Sequence, residues 1–176
     1  HGVDVEGIRA RGAHRAEARA SLGLDDDRFV FVTVANYRTQ KDYPNLLRAC
    51  ADLRDRGVPF TMLVVGQGPL RVEIEALHAE LSLQDHVHLL GYRADVAEVM
   101  SAADAFVLGS AWEGLPVALM EATALGLPCV LTDVGGGQGS GEYAVFGRLH
   151  RLRFRLGASQ GDKRNLSENA RSILAG

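Results

Sequence analysis

The sequence FTMLVVGQGPLRVEIEALHAEL, residues 60–81, decides the fold class. Its first six residues are apolar or β-branched and carry no charge, which is typical of a strand covered on both faces. A glycine-rich turn follows at 66–69, and large apolar side chains then recur at helical spacing: Leu70, Ile74, Leu77 and Leu81. A buried strand that runs through a tight turn into an amphipathic helix is the repeating unit of a parallel α/β sheet.

The same pattern recurs on both sides of this unit. Apolar segments predict further strands at 29–34, 87–90, 105–108 and 129–131. Amphipathic segments predict helices at 43–56, 96–103 and 116–125. The alternation indicates an α/β fold with a doubly wound parallel sheet, in which ligands bind outside the carboxyl ends of the strands.

The flanking segments differ from this central region. A helix is predicted near 8–22 and another at 165–174. Residues 135–147 contain six glycines and are predicted to form a flexible loop.

Composition limits the class of protein. The 176 residues are 47% hydrophobic and 23% charged, which fits one globular domain and is too short for a two-domain enzyme. The net charge of −3 argues against a nucleic-acid-binding protein, although residues 137–176 carry seven Lys and Arg against three Asp and Glu. Without an apolar run of roughly 20 residues or a leader, we expect a cytoplasmic protein. Cys50 and Cys129 have no disulfide or metal-ligand spacing, and we expect buried thiols.

Glu121 is the only charged residue within residues 114–132. The predicted helix around it is apolar on nearly every side, so we expect its carboxylate to have little access to water and to need hydrogen-bond donors. The two vicinal hydroxyls of a ribose would supply them. Backbone amides or an arginine in the core would satisfy the same carboxylate, and the residues alone leave both interpretations open.

Glu113 lies eight residues earlier, on the loop that leaves the fourth predicted strand. It would project over the carboxyl edge of the sheet, beside the amides of Gly114, Leu115 and Val117 at the start of the next helix. An acceptor beside several donors suits a hydroxyl-rich ligand that carries negative charge. A carboxylate that only offsets the helix dipole is the alternative.

Six motifs in one order resemble those of a known family. SAWEGLPVALMEA, residues 110–122, resembles the Glu-x7-Glu signature of retaining glycosyltransferases of the GT-B fold, the glycosyltransferases group 1 or family four. The other motifs resemble that family in order and spacing: HGVD at 1–4, VANYRTQKD at 34–42, VGQGP at 65–69, LGYR at 90–93 and TDVGG at 132–136. The resemblance implies that residues 1–136 form the Rossmann-like, C-terminal donor-binding domain of such an enzyme. Residues 137–176, a glycine-rich loop and a basic tail, do not match the family.

The resemblance also implies a site for a nucleotide-diphosphate sugar. Glu121 would bind the ribose, and the backbone at Tyr92 and Arg93 would flank the base. Glu113, near the hydroxyls of the donor sugar, and Lys41, on the diphosphate, are the implied catalytic residues. A fixed ammonium stabilises the leaving diphosphate more in the transition state than in the ground state. The residues at the start of the helix, Gly114, Leu115, Pro116 and Val117, would also contact the donor substrate.

No metal or other cofactor is expected, because the family needs none. The chain lacks the carboxylate clusters of magnesium sites, and His86 and His88 are interpreted as a strand pair rather than as metal ligands.

Two departures from the family bear on this site. The family often has an arginine where this chain has Asn36, so a second phosphate-binding cation is missing at its usual position. Arg38, two residues later, is the candidate replacement, and an exposed loop arginine without a ligand is the alternative. The second departure is length: the chain begins where the second domain of the family begins, so we expect the acceptor-binding domain or subunit to be absent from it.

Two hypotheses follow for the function. The first is the donor-binding half of a retaining glycosyltransferase that transfers a hexose to a glycan, lipid or small-molecule acceptor. The second is a non-catalytic nucleotide-sugar-binding or assembly module of the same fold, whose basic tail contacts an anionic partner or a membrane surface. A dinucleotide-dependent oxidoreductase is disfavoured, because Arg71 occupies the third glycine position of that fingerprint.

Overall fold

The computed structural model describes residues 6–7, 14–110, 117–133 and 142–146. The strands in these ranges are β1 (Phe29–Val34), β2 (Phe60–Val65), β3 (Val87–Gly91), β4 (Ala105–Leu108), β5 (Cys129–Asp133) and β6 (Glu142–Phe146). The helices are α1 (Arg15–Ser21), α2 (Tyr43–Asp55), α3 (Arg71–Glu80), α4 (Val96–Ser101) and α5 (Val117–Ala124). A single 3-10 turn, Thr39–Lys41, lies between β1 and α2.

All of these strands belong to one sheet, in the order β3-β2-β1-β4-β5-β6. β1 pairs in parallel with both β2 and β4, β2 pairs in parallel with β3, and β4 pairs in parallel with β5. The strand order reverses between β1 and β4, and the helices that follow them, α2 and α5, pack on opposite faces of the sheet. Doubly wound sheets form their ligand-binding crevice at such a reversal. The doubly wound α/β prediction is therefore confirmed.

Helices cover both faces of the sheet, and alternate residues of each strand point to each face. On the first face, which we call the α2/α3 face, Phe31, Met62 and Val64 pack with α2 and with Ile74 of α3. On the second, the α4/α5 face, Val32, Leu63 and Phe106 pack with α4 and α5. Because β1, β2 and β4 are buried on both sides, their sequences are continuously apolar or β-branched and do not alternate with charged residues.

The prediction of a flexible loop over 135–147 is wrong at its end. Residues Glu142–Phe146 form β6, which runs antiparallel to β5 with Cys129 opposite Phe146 and Asp133 opposite Glu142. The segment EYAVF has the β-branched and aromatic residues of a strand. The preceding glycines signal a turn, but only the free edge of β5 supplies the pairing partner. α1 (Arg15–Ser21) lies within the predicted helix near 8–22. Residues 8–13 of that prediction, residues 134–141 and the predicted helix at 165–174 lie outside the described residues.

Both cysteines are free and buried, as expected. Burial raises the pKa of Cys50 to about 12 and that of Cys129 to about 11 from the ordinary value of 9.0. The unfolded chain therefore loses these protons at lower pH than the folded chain does. Between pH 9 and pH 11 the free energy of unfolding should fall by up to about 1.4 kcal/mol per pH unit for each thiol.

Urea unfolding at pH 8, 9, 10 and 11 measures this effect. At pH 8 and below, Cys50→Ala should lower the free energy of unfolding by a constant amount. Above pH 9 the variant lacks the loss of stability that comes from the Cys50 thiol, so the unfolding free energies of the parent and the variant should converge as the pH rises. Tyr43, whose pKa burial also raises, contributes equally to both proteins. Parallel curves for parent and variant up to pH 11 would contradict the assignment.

Candidate functional site

The loop that leaves β1 has a fixed conformation at the crevice. Lys41 ends the 3-10 turn, and Asp42 follows in the left-handed region with φ 43°. The Asp42 carboxylate accepts a hydrogen bond from the amide of Asn45 at 3.4 Å and caps α2. Asp tolerates positive φ better than most residues do, so the loop can turn sharply into the helix directly after Lys41.

The side chains of this loop alternate between solvent and core. Tyr37 is buried, and its ring packs edge-on against Tyr43 with ring centroids 4.9 Å apart. Its backbone amide donates to the carbonyl of Gln67 at 3.0 Å, and its carbonyl accepts from the amide of Leu70 at 3.2 Å. The anchored Tyr37 therefore leaves its neighbours Asn36 and Arg38 exposed at the carboxyl edge of the sheet.

Two glycines let the loop after β2 approach the loop after β1. A Cβ atom on Gly66 would lie 2.0 Å from the carbonyl oxygen of Ala35, and one on Gly68 would lie 2.6 Å from the carbonyl oxygen of Tyr37. Real Cβ atoms do not approach backbone oxygens so closely. Sequence reasoning missed this role and treated GQGP as a turn. The available signal was a Gly-x-Gly-Pro segment placed directly after a buried strand.

Glu121 lies in α5, which follows β4 on the other side of the crevice. The residue is half-buried, and the expectation that its carboxylate has little access to water stays a prediction. The apolar residues of α5 do not surround it, because Val117, one turn earlier, is 60% exposed while Ala122 is buried against the sheet. Glu121 and Val117 are four residues apart and share one face of the helix. Four predicted site residues, Glu113, Gly114, Leu115 and Pro116, lie outside the described residues.

In the loop after β3, the side chain of Tyr92 is exposed and that of Arg93 is bound to a carboxylate. Tyr92 is 70% exposed, whereas the Nε atom of Arg93 donates to the carboxylate of Asp95 at 2.8 Å. The hydrogen bond from Arg93 lowers the pKa of Asp95, so both remain charged. The Arg93 side chain thus stiffens the turn into α4.

The structure collects most of the predicted residues at one edge of the sheet. Asn36, Arg38 and Lys41 follow β1, Tyr92 and Arg93 follow β3, and Glu121 follows β4. Within the described ranges, no group of three or more His, Cys, Asp or Glu residues could hold a metal ion. None of the helices described is long and apolar enough to cross a membrane.

Comparison with known sequences identifies the family. The family described as "Glycosyl transferases group 1" matches residues 14–140. "Putative glycosyltransferase EpsF" of Bacillus subtilis is 38% identical over 133 residues, which are 76% of this chain and 35% of that protein. "UDP-Gal:alpha-D-GlcNAc-diphosphoundecaprenol alpha-1,3-galactosyltransferase" of Escherichia coli is 32% identical over 140 residues, 77% of this chain and 36% of that protein. The chain therefore spans about a third of the length of these relatives.

Solved structures agree with the fold. WaaG, a glycosyltransferase involved in lipopolysaccharide biosynthesis, superposes with a TM-score of 0.69 at 26% identity over 92% of this chain and 42% of that one. HepE of Anabaena, crystallised with UDP and glucose, superposes with a TM-score of 0.76 at 20% identity over 98% of this chain and 46% of that one. The match to the family over residues 14–140, on a sheet of the same topology class, shows that this chain belongs to the glycosyl transferases group 1.

Proposed function

We propose that this chain is the donor-binding half of a retaining glycosyltransferase, which transfers a hexose from a nucleotide-diphosphate sugar to a glycan, lipid or small-molecule acceptor. One observation carries the proposal: Lys41 follows β1 and Glu121 follows β4, the two strands on either side of the reversal in strand order. A parallel sheet binds its ligand at that point. A cation and a carboxylate there suit the diphosphate and the ribose of one nucleotide.

Relatives support a uridine nucleotide as the donor. HepE binds UDP and glucose, and the Escherichia coli relative is named for UDP-Gal. Both names combine the diphosphate, the ribose and a hexose, which are the groups that Lys41, Glu121 and Glu113 would contact. The base would lie against the backbone near Tyr92, whose exposed ring is available to cover it.

The chemical step depends on charge at the leaving group. When the glycosidic bond breaks, the diphosphate gains negative charge, and the Lys41 ammonium together with the amides at the start of α5 would stabilise it. Glu113 would hold the hydroxyls of the donor sugar in position. Gly114, Leu115, Pro116 and Val117 form the segment that would carry these amides, with Pro116 contributing none.

Most of the acceptor site is proposed to lie on a separate domain or subunit. The chain spans about a third of its curated relatives, so two thirds of those proteins have no counterpart in it. We therefore expect this chain alone to bind a donor nucleotide and to transfer sugar slowly or not at all.

Calorimetric titration with UDP, GDP and ADP tests the proposal. We expect one nucleotide to bind saturably and Glu121→Gln to weaken it by about tenfold or more, because a charge-assisted hydrogen bond to ribose contributes about 1.5–3 kcal/mol. Lys41→Gln should weaken the same nucleotide. Glu80→Gln, an exposed change at the end of α3, is the matched control and should leave the affinity unchanged. A folded chain that binds none of the three nucleotides would overturn the proposal.

A further inference from the structure

A second polar depression lies beside the crevice, on the α2/α3 side of the same sheet edge. It has a volume of about 420 Å³, and six residues line it: Asn36, Arg38, Gln67, Gly68, Pro69 and Arg71. Two of these residues are arginines and two are amides. No carboxylate is among the six. Glu75, which pairs with Arg71, lies outside the lining, and Arg38 adds a positive charge that no described carboxylate pairs with.

The Arg38 guanidinium is free to bind a ligand. It is exposed and makes no hydrogen bond or ion pair with any residue in the described ranges. Arg71 uses only its Nε atom, which donates to Glu75 at 2.7 Å, and its terminal nitrogens are unbonded within those ranges. The planar fork of a guanidinium matches two oxygens of a phosphate, and two such forks on one depression favour a phosphate or diphosphate group.

The floor of the depression is rigid. Tyr37, between Asn36 and Arg38, is buried and fastened to Gln67 and Leu70 through its backbone. Gly68 lies so close to the Tyr37 backbone that a side chain at this position would force the two loops apart. The arginines therefore project from a fixed support, which lowers the entropy that a ligand must overcome. Arg71 begins α3, so the positive end of the helix dipole lies at the depression.

The depression adjoins the proposed donor crevice, shares with it the loop that carries Lys41, and extends from that loop toward β2 and α3. Tyr92 leads into α4, and Glu121 lies in α5, both of which pack on the α4/α5 face. Arg71 begins α3, which packs on the opposite face, and Gln67 follows β2 rather than β4. A nucleotide held by Glu121 and the Tyr92 loop would approach the depression without filling it.

We propose that this depression binds a phosphate or diphosphate group of a second ligand while the donor nucleotide occupies the crevice. This second ligand is assigned as the acceptor, an assignment that rests on the proposed function. The acceptor would carry its phosphate on a sugar or on a lipid. Arg38 thus acts on the acceptor and does not replace the missing arginine at Asn36.

Titration of the chain with inorganic diphosphate, in the presence of saturating UDP, tests this inference. UDP keeps the crevice occupied, so binding there does not contribute. We expect saturable diphosphate binding that weakens by about fivefold or more in Arg38→Gln and again in Arg71→Gln, as for the loss of a charge-assisted contact. Arg48→Gln, an exposed arginine on α2 that is unpaired among the described residues, is the control and should bind as the parent does.

The outcomes separate this inference from the proposed function. If UDP displaces the diphosphate, or if Arg38→Gln binds as tightly as the parent, the inference is wrong even though nucleotide binding stands. If the chain binds no UDP but binds diphosphate through Arg38, the anion site stands and the proposed donor function fails. Titration with geranyl diphosphate and with glucose 6-phosphate then distinguishes a lipid acceptor from a sugar acceptor. The compound that binds more tightly than inorganic diphosphate shows which of the two carries the phosphate.

Discussion

Replacing Gly66 with alanine is expected to lower the free energy of unfolding by about 3 kcal/mol or more. The new Cβ atom would meet the carbonyl oxygen of Ala35 at 2.0 Å and its carbonyl carbon at 3.0 Å. Neither atom can rotate away, because the amide of Ala35 donates to Val65 at 3.0 Å and the amide of Gly66 donates to Gly91 at 2.9 Å. Relief of the clash would have to move β1 and β2 apart.

Chemical denaturation of the variant measures the effect, with Gly109→Ala as the matched control. Gly109 also follows a central strand, and a Cβ atom there would meet nothing within 4 Å. We expect the control to stay within about 0.5 kcal/mol of the parent. The proposed donor site should respond as well, since the displaced Ala35 begins the loop that carries Lys41. Equal stability of the two variants would show that the close approach of the loops is not required.

Replacing Arg19 with methionine is expected to lower the free energy of unfolding by about 3 kcal/mol. Arg19 is 8% exposed and lies at the amino edge of the sheet, opposite the crevice. Its terminal nitrogens donate to three backbone carbonyls: Ala102 at 3.1 Å, Asp25 at 2.7 Å and Arg28 at 3.3 Å. Methionine fills much of the same volume but leaves these acceptors without a donor in the protein.

The cost also includes a weakened ion pair. A terminal nitrogen of Arg19 lies 3.6 Å from the carboxylate of Asp104, which accepts from the amide of Val30 at 2.7 Å. Arg15 lies 2.6 Å from the other oxygen of the same carboxylate, so Asp104 keeps one cation. This remaining partner places the expected cost at the lower end of the range for breaking a buried pair.

Urea unfolding of Arg19→Met, Arg15→Met and Arg48→Met ranks how much each arginine contributes to the free energy of unfolding. Arg15 is about half exposed, so its loss should cost about 1 kcal/mol, and the loss of the unpaired, exposed Arg48 should cost less than about 0.5 kcal/mol. A cost for Arg19→Met no greater than that for Arg48→Met would mean that α1 is not held to the sheet by this cluster.

The central elements could be predicted from sequence because their local patterns agree with their final environment. β1 and β2 match their predicted bounds residue for residue, and α2 ends one residue before its predicted end. A strand buried on both faces is built from uncharged apolar and β-branched residues, and Gly57 ends a helix through its positive φ of 70°. These requirements act within a few residues, so a single segment displays them.

The amino-edge cluster could not be predicted in the same way. Arg19 and Asp104 are 85 positions apart, and neither has a neighbour in sequence that indicates a buried partner. Similarly, nothing within EYAVF indicates the free edge of β5 with which it pairs. Glu121 was placed on the correct helix, but its exposure depends on where the helix lies on the sheet and not on the apolar residues beside it.

By itself, the sequence determined the order of strands and helices, the doubly wound class of the sheet and, through six ordered motifs, the family. These properties follow from short-range periodicity and from motif spacing, which the chain carries in any conformation. Only the tertiary structure decided that Gly66 and Gly68 press two loops together, that Arg93 is occupied by Asp95, and that Arg38 shares a depression with Arg71. Each of these depends on distances between segments, which are fixed only when the sheet is assembled and both of its faces are covered.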